Sequence, residues 1–125
     1  MACILVVDDE PDIVRFAVSV LKERGHQVIT AVDGPSAITK AHGEHPDVIL
    51  IDLRLPQMDG RQVCQELKRS EQTQMIPIVM MTATSVSIED IESAAALGAD
   101  DYLLKPFLRD VLIHNIERHL KSTES

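Results

Sequence analysis

Five short, apolar, β-branched runs alternate with five segments of helical spacing, and this predicts a doubly wound α/β domain with helices on both faces of a five-stranded parallel sheet. Two further observations carry the prediction. The runs Ile4-Leu5-Val6-Val7 and Val48-Ile49-Leu50-Ile51 are continuously apolar, as strands buried on both faces must be. The chain of 125 residues has no interior linker, repeat or low-complexity tract, so one domain is expected. A chain of this size buries roughly 65–68% of its unfolded surface, enough for a core without disulfide or metal staples.

The expected strands are residues 3–7, 27–31, 47–51, 77–82 and 101–105. The first helix is the clearest, with Ile13, Phe16, Ala17, Val20 and Leu21 at i, i+3, i+4, i+7 and i+8. Leu108, Val111, Leu112, Ile116 and Leu120 repeat that pattern near the C-terminus. Between them, Ala37–His42 marks a short helix, Val63 and Leu67 a third, and Ile88, Ile91 and Ala95 a fourth. Pro11 and Pro35 stand where a first helical turn tolerates a missing N–H. Gly25 and Gly98 follow helical runs, where the chain reverses through positive φ. Ser87 with Asp90 three residues on resembles a capping box, and Asp59 before Gly60 reads as the N-cap of the third helix. The domain is expected over residues 1–121, with 122–125 a polar tail.

Composition narrows the function. Twelve Lys and Arg against twenty Asp and Glu give a formal net charge of −8, which opposes direct binding to a phosphate backbone. Phe16, Tyr102 and Phe107 are the aromatic residues, too few for a base-stacking platform. Cys3 and Cys64 lack metal-ligand spacing and read as reduced thiols. The five histidines, His26, His42, His45, His114 and His119, lack it too and read as surface or structural. No run reaches the ~18 apolar residues of a membrane span, and Met1–Val7 leads straight into Asp8-Asp9-Glu10 without a basic segment. A soluble cytoplasmic protein is expected, with no membrane partner.

In an open parallel sheet, ligands bind beyond the carboxyl ends of the strands. Those ends carry Asp8 and Asp9 after the first strand, Asp52 after the third, Thr82 on the fourth and Lys105 on the fifth. In a flavodoxin-like order, 2-1-3-4-5, the first and third strands are neighbours, so Asp8, Asp9 and Asp52 converge in one crevice with Thr82 and Lys105 on its far rim. Carboxylates ~4 Å apart repel by about 4 kcal/mol per pair at an effective dielectric near 20. A hard divalent cation relieves this, and an oxygen-only donor set that can share its shell with phosphate favours Mg²⁺. Helix capping ahead of Pro11 would account for one of these acids but not for all three. Lys105 could be a snorkelling surface lysine, although a position facing an acidic crevice gives it an electrostatic task.

The sequence resembles the receiver domain of two-component response regulators, the CheY-like fold. The resemblance rests on Val6-Val7-Asp8-Asp9-Glu10, on Asp52-Leu53-Arg54-Leu55-Pro56-Gln57-Met58-Asp59-Gly60, on Met81-Thr82-Ala83 and on Gly98-Ala99-Asp100-Asp101-Tyr102-Leu103-Leu104-Lys105-Pro106-Phe107. The match runs from residue 3 to about residue 120, with motif order and spacing intact. It implies that Asp52 accepts a phosphoryl group from a sensor histidine kinase or a histidine phosphotransfer protein. It also implies that Asp9, Asp52 and the Arg54 carbonyl ligate Mg²⁺, with Asp8 acting through water. By the same resemblance Lys105 and Thr82 engage the phosphoryl oxygens, Tyr102 swings inward as Thr82 moves, and Lys105-Pro106 is a cis peptide. The readout surface would be the fourth helix, fifth strand and fifth helix, and the downstream target is unspecified.

Two departures refine the expectation. In the transcription-factor subclass that surface dimerises through paired basic and acidic residues, whereas Ile88-Glu89-Asp90-Ile91-Glu92 offers no base and Asn115-Ile116 replaces basic positions, so a monomer is expected. Arg54 and Thr84 lie two residues beyond Asp52 and Thr82, and a long guanidinium at Arg54 predicts slow self-dephosphorylation. Other readings use the same fold. A haloacid-dehalogenase-type phosphatase also has a strand-end Asp, but it requires a second Asp where Arg54 stands. A flavin module requires a Ser/Thr/Gly-rich phosphate cradle where Asp8-Asp9-Glu10 stands. A phosphorylation-independent interaction module would keep the fold alone.

Overall fold

The computed structural model describes residues 2–83 and 87–124, the last four as backbone; Thr84 lies outside the described residues. In chain order the elements are β1 (Cys3–Val7), α1 (Pro11–Glu23), β2 (Gln27–Ala31), α2 (Gly34–Glu44), β3 (Val48–Asp52), α3 (Gly60–Arg69), β4 (Ile78–Thr82), α4 (Ile88–Ala96), β5 (Asp101–Leu104) and α5 (Arg109–Glu124). The five strands form one sheet in the order β2-β1-β3-β4-β5, and every pairing is parallel. The predicted doubly wound fold is therefore the observed one.

The sheet separates two cores because alternate strand residues face opposite sides. On one side Leu5, Val7, Ile49, Ile51 and Met80 meet Ala37 and Ala41 of α2, Val63 and Leu67 of α3, and Ala94 of α4. On the other, Ile4, Val6, Leu50, Val79 and Met81 meet Ala17, Val20 and Leu21 of α1 and Leu112, Ile116 and Leu120 of α5. The central strands β1, β3 and β4 are buried along both faces apart from the first residue of β1, which accounts for their unbroken apolar runs.

Boundaries shift by a residue in ways that matter for the site. β3 includes Asp52 and begins at Val48, while Asp47 instead accepts the Cys3 N–H at 2.8 Å through its carboxylate. β4 begins after Pro77, which has no N–H but whose carbonyl accepts from Ile49 at 3.0 Å. β5 stops at Leu104, so Lys105 is the first residue beyond the strand. Pro11 opens α1, and Gly25 and Gly98 take φ values of +88° and +118°. Of the apolar residues expected on the last helix, Leu108 and Val111 remain exposed, while α5 buries Leu112, Ile116 and Leu120 and packs Ile113 beside them. α5 runs on to Glu124, into the segment read as a polar tail.

At the amino ends of β4 and β5 a single lysine joins several segments. Lys68 Nζ donates to the carbonyls of Gln74 (3.2 Å) and Ile76 (2.9 Å) and to Asp100 Oδ2 (3.2 Å). The same Asp100 oxygen accepts the Ile78 N–H at 2.8 Å. Gly98 lies under the Lys68 stem, where a Cβ would stand 2.5 Å from Lys68 Cγ.

Candidate functional site

The carboxyl ends of β1, β3 and β4 and the residue after β5 converge on one buried ionic cluster. Lys105 Nζ lies 2.9 Å from Asp52 Oδ2, 2.8 Å from Asp8 Oδ2 and 2.8 Å from Glu10 Oε1. The contacts to Asp52 and Glu10 are aligned hydrogen bonds, whereas that to Asp8 is an ion pair whose oxygen has no aligned donor among the described residues. Asp8 is fully buried, Asp52 and Lys105 are 7% and 9% exposed, and Glu10 stands at the mouth. The two buried carboxylates also have backbone anchors: Asp8 Oδ1 accepts the Glu10 N–H at 3.1 Å, and Asp52 Oδ1 accepts the Arg54 N–H at 3.1 Å.

Local chain geometry positions these groups. The Asp8 N–H continues the β1 ladder onto Ala31 O at 3.2 Å, and the Lys105 N–H bonds Thr82 O at 2.7 Å, holding the lysine in register with β4. The Lys105–Pro106 peptide is cis. After β3, the chain returns to Asp52 within a few residues: the Gly60 N–H donates to Leu53 O at 2.8 Å. A Cβ at Gly60 would lie 2.4 Å from the Asp52 carbonyl oxygen, so only glycine allows α3 to start this close to the strand end. Asp59 caps that helix through the Arg61 N–H at 2.8 Å, and Gln62 closes the box by accepting the Asp59 N–H at 2.9 Å.

Burial alone would lower the Lys105 pKa, but the carboxylates of Asp8, Glu10 and Asp52 that surround the ammonium outweigh it and hold the group above the usual lysine range. Asp8 moves up from the ordinary carboxylate value, because burial exceeds the opposing pull of Lys105 and of the Glu10 N–H. Asp59 shows the reverse balance. Burial raises its pKa, yet the Arg61 side chain and backbone bring it below the ordinary value.

The structure thus brings together Asp8, Asp52 and Lys105, but not Asp9, whose side chain is exposed and outside the cluster. Glu10 takes the place expected of Asp9: oxygens of Asp8, Glu10 and Asp52 all lie within 4.8 Å of one another. Glu10 is the extended N-cap residue of α1 and its longer side chain reaches back to Lys105. Sequence reasoning quoted Glu10 within its motif and gave it no task. Thr82 is fully buried, and its Oγ1 has no partner among the described residues. Tyr102 points outward, 54% exposed, beside a cleft that Thr82 also lines. Arg61, also missed, links Asp59 (3.0 Å) to Asp90 of α4 (3.3 Å).

An all-oxygen cluster with one buried carboxylate oxygen lacking an aligned donor suits a hard cation. The arrangement can present a carboxylate at Asp52, an ammonium beside it and a Thr82 hydroxyl without a partner among the described residues.

Comparison with known proteins agrees with this geometry. A family model described as the response regulator receiver domain matches residues 4–117. The alkaline phosphatase synthesis transcriptional regulatory protein PhoP of Bacillus subtilis is 46% identical over 104 residues, covering 83% of this chain and 42% of PhoP. Protein PilG of Pseudomonas aeruginosa is 34% identical over 119 residues, 95% of this chain and 87% of PilG. The chain spans about half the length, or less, of the transcriptional regulators it matches. The chemotaxis response regulator CheY4 of Vibrio cholerae superposes with a TM-score of 0.89 at 34% identity, over 95% of this chain and 98% of its own. By sequence and by fold, the chain belongs to the receiver-domain family of two-component response regulators.

Proposed function

We propose that this receiver takes a phosphoryl group onto Asp52 from a phosphohistidine on a sensor histidine kinase or a histidine phosphotransfer protein. The observation that carries the reading is the buried ammonium of Lys105 bound to the Asp52 carboxylate, with a Thr82 hydroxyl at the adjoining strand end that has no partner among the described residues. An Asp52 oxygen attacks phosphorus in line, the P–O bond forms as the P–N bond to histidine breaks, and the imidazole nitrogen leaves with the electron pair. Lys105, bound to Asp52, would stabilise charge as it grows on the transferring oxygens. Thr82 supplies a hydrogen bond to one of them. Asp9, Asp52 and the Arg54 carbonyl would hold Mg²⁺, with Asp8 acting through water and Glu10 yielding its place beside Lys105. When bound, the cation supplies charge neutralisation for the phosphoryl oxygens.

Water attacking the same phosphorus would hydrolyse the acyl phosphate, so the activity is self-phosphorylation and self-dephosphorylation at one site rather than turnover. Arg54 is exposed two residues beyond Asp52, and its long guanidinium would screen that approach and slow it. A phosphoryl group that engages Thr82 would open space for Tyr102 to turn inward, switching the face of α4, β5 and α5. The reading keeps the protein monomeric, cytoplasmic and without a nucleic-acid contact of its own; among the described residues no helix is long and apolar enough to cross a membrane.

The test is intact-mass analysis after incubation with Mg²⁺ and acetyl phosphate. One phosphoryl adduct is expected on the wild type, absent from Asp52→Asn and absent with chelator. An adduct retained by Asp52→Asn would refute the acceptor. Absence of both the adduct and Mg²⁺-dependent beryllofluoride binding would refute phosphotransfer and leave an interaction module.

A further inference from the structure

We infer that the cleft between α4 and the β4–β5 edge receives a cationic segment of a partner protein, an aliphatic or aromatic anchor flanked by Lys or Arg. The inference deepens the proposed function, since it names the chemistry of what the switching face would bind. The cleft has a volume of about 300 Å³, and its apolar lining is Met80, Ile91, Ala94, Ala95, Ala99 and Tyr102. That is the small end of ligand-site volumes and suits one or two large side chains rather than a cofactor. α4 buries little of itself: Ala94 is its one fully buried residue, and Ile88 is 74% exposed. Tyr102 and Leu104 add half-exposed apolar surface beside it.

Charge selects the occupant. From Ser70 to Leu104 the sequence contains no lysine or arginine. The acids around the cleft fall into two groups. Asp90 is tied to Arg61, Asp100 to Lys68, and Asp101 to Arg118 and His119. Glu89 and Glu92, three residues apart on the exposed side of α4, have no cationic partner among the described residues, and residues 84–86 contribute no charge. Apolar surface rimmed by unpaired carboxylates attracts a cationic partner and steers its approach. A second copy packed α4 against α4 across a two-fold axis would oppose the same carboxylates to one another. A nucleic acid would meet the wrong sign.

Thr82 lines this cleft, stands at the carboxyl end of β4 beside Leu104, and its Oγ1 has no partner among the described residues. The same residue therefore borders both the proposed phosphoryl site and the docking surface.

The test is selection of a phage-displayed random peptide library against the wild-type protein, without phosphodonor. Counter-selection uses a variant carrying Glu89→Lys and Glu92→Lys, both exposed, with its fold verified by circular dichroism. Enriched peptides are expected to carry an apolar anchor between basic residues, to perturb amide resonances of α4 and β5, and to bind the variant at least about fivefold more weakly. Absence of enrichment, enriched peptides without net positive charge, equal binding to the variant, or perturbations confined to other faces would each overturn the inference. Because no phosphodonor is present, these outcomes are independent of the Asp52 mass measurement. A peptide that binds wild type and Asp52→Asn equally supports the surface even if the phosphotransfer reading fails.

Discussion

Replacing Lys105 by methionine keeps most of the side-chain volume and removes the one cation from a cluster of three carboxylates. Their oxygens lie within 4.8 Å of one another, so each pair repels by about 3.5 kcal/mol at an effective dielectric near 20. Glu10 is half exposed at its side chain and can swing to solvent, which removes two of the three repulsions. Asp8 and Asp52 are buried on fixed strand ends and cannot move apart. One pair remains, so Lys105→Met is expected to destabilise by about 3–4 kcal/mol near pH 8, within the range for breaking a buried ion pair. The loss has a definite pH dependence. Asp8 already titrates above its ordinary value because of burial, and the substitution removes the lysine that pulls it down. A carboxyl whose folded pKa is raised stabilises the fold fully below its unfolded pKa and less as pH rises through the folded pKa. The deficit should therefore shrink towards roughly pH 5. Millimolar Mg²⁺ should recover part of it at high pH, since a bound cation replaces the missing charge. Urea denaturation of both proteins at the two pH values, with and without Mg²⁺, reads all three effects. A deficit below about 1 kcal/mol near pH 8, or one that neither pH nor Mg²⁺ alters, would refute the electrostatic account.

Three further outcomes follow from particular contacts. Gly60→Ala places a methyl 2.4 Å from the Asp52 carbonyl oxygen and should cost about 1–3 kcal/mol in urea denaturation, with the strongest amide shifts at Asp52 and Leu53. Glu117 is held at a pKa of about 2, first by its bidentate bond from Arg24 and then by His26; its stabilisation is present above the ordinary value of 4.5 and is lost as pH falls towards about 2. Glu117→Gln should flatten that part of the acid-unfolding curve, measured by circular dichroism. Burial pushes the Cys64 thiol up to about 12, so iodoacetamide at neutral pH should leave it unlabelled in the native protein and label it in urea, as read by peptide mass.

The strands were legible because a strand buried on both faces leaves no room for polar residues, and β1 and β3 carry that signature without interruption. Strand ends were legible for the same reason: Asp8, Asp52 and Lys105 are charges at the limit of apolar runs. Which of three consecutive acids turns inward was not. Beyond Val7 the strand alternation lapses, and the direction of Glu10 depends on its extended backbone ahead of Pro11 and on an ammonium 95 positions away. The Ser87–Asp90 pair shows a similar limit. Ser87 Oγ accepts the Asp90 N–H at 3.2 Å, but the Asp90 carboxylate bonds Arg61. A local pattern cannot reveal a competitor from another helix. His45 and Gln57 take positive φ, 47° and 69°, without the glycine that would announce it.

The lysine at the pole opposite Asp52 has a consequence for the order in which the molecule opens. From the end of α3, Lys68 donates two bonds to carbonyls of the 70–77 segment and one to Asp100 on the approach to β5, and Asp100 ties the first amide of β4 into the same knot. These pieces cannot separate one at a time without stranding a charge or an amide, so they should exchange their hydrogens together, as one cooperative unit. α4 buries only Ala94 and should open earlier. The receiver would then soften from the α4 side while the far pole stays closed, so that local opening of α4 can proceed well below the free energy of global unfolding.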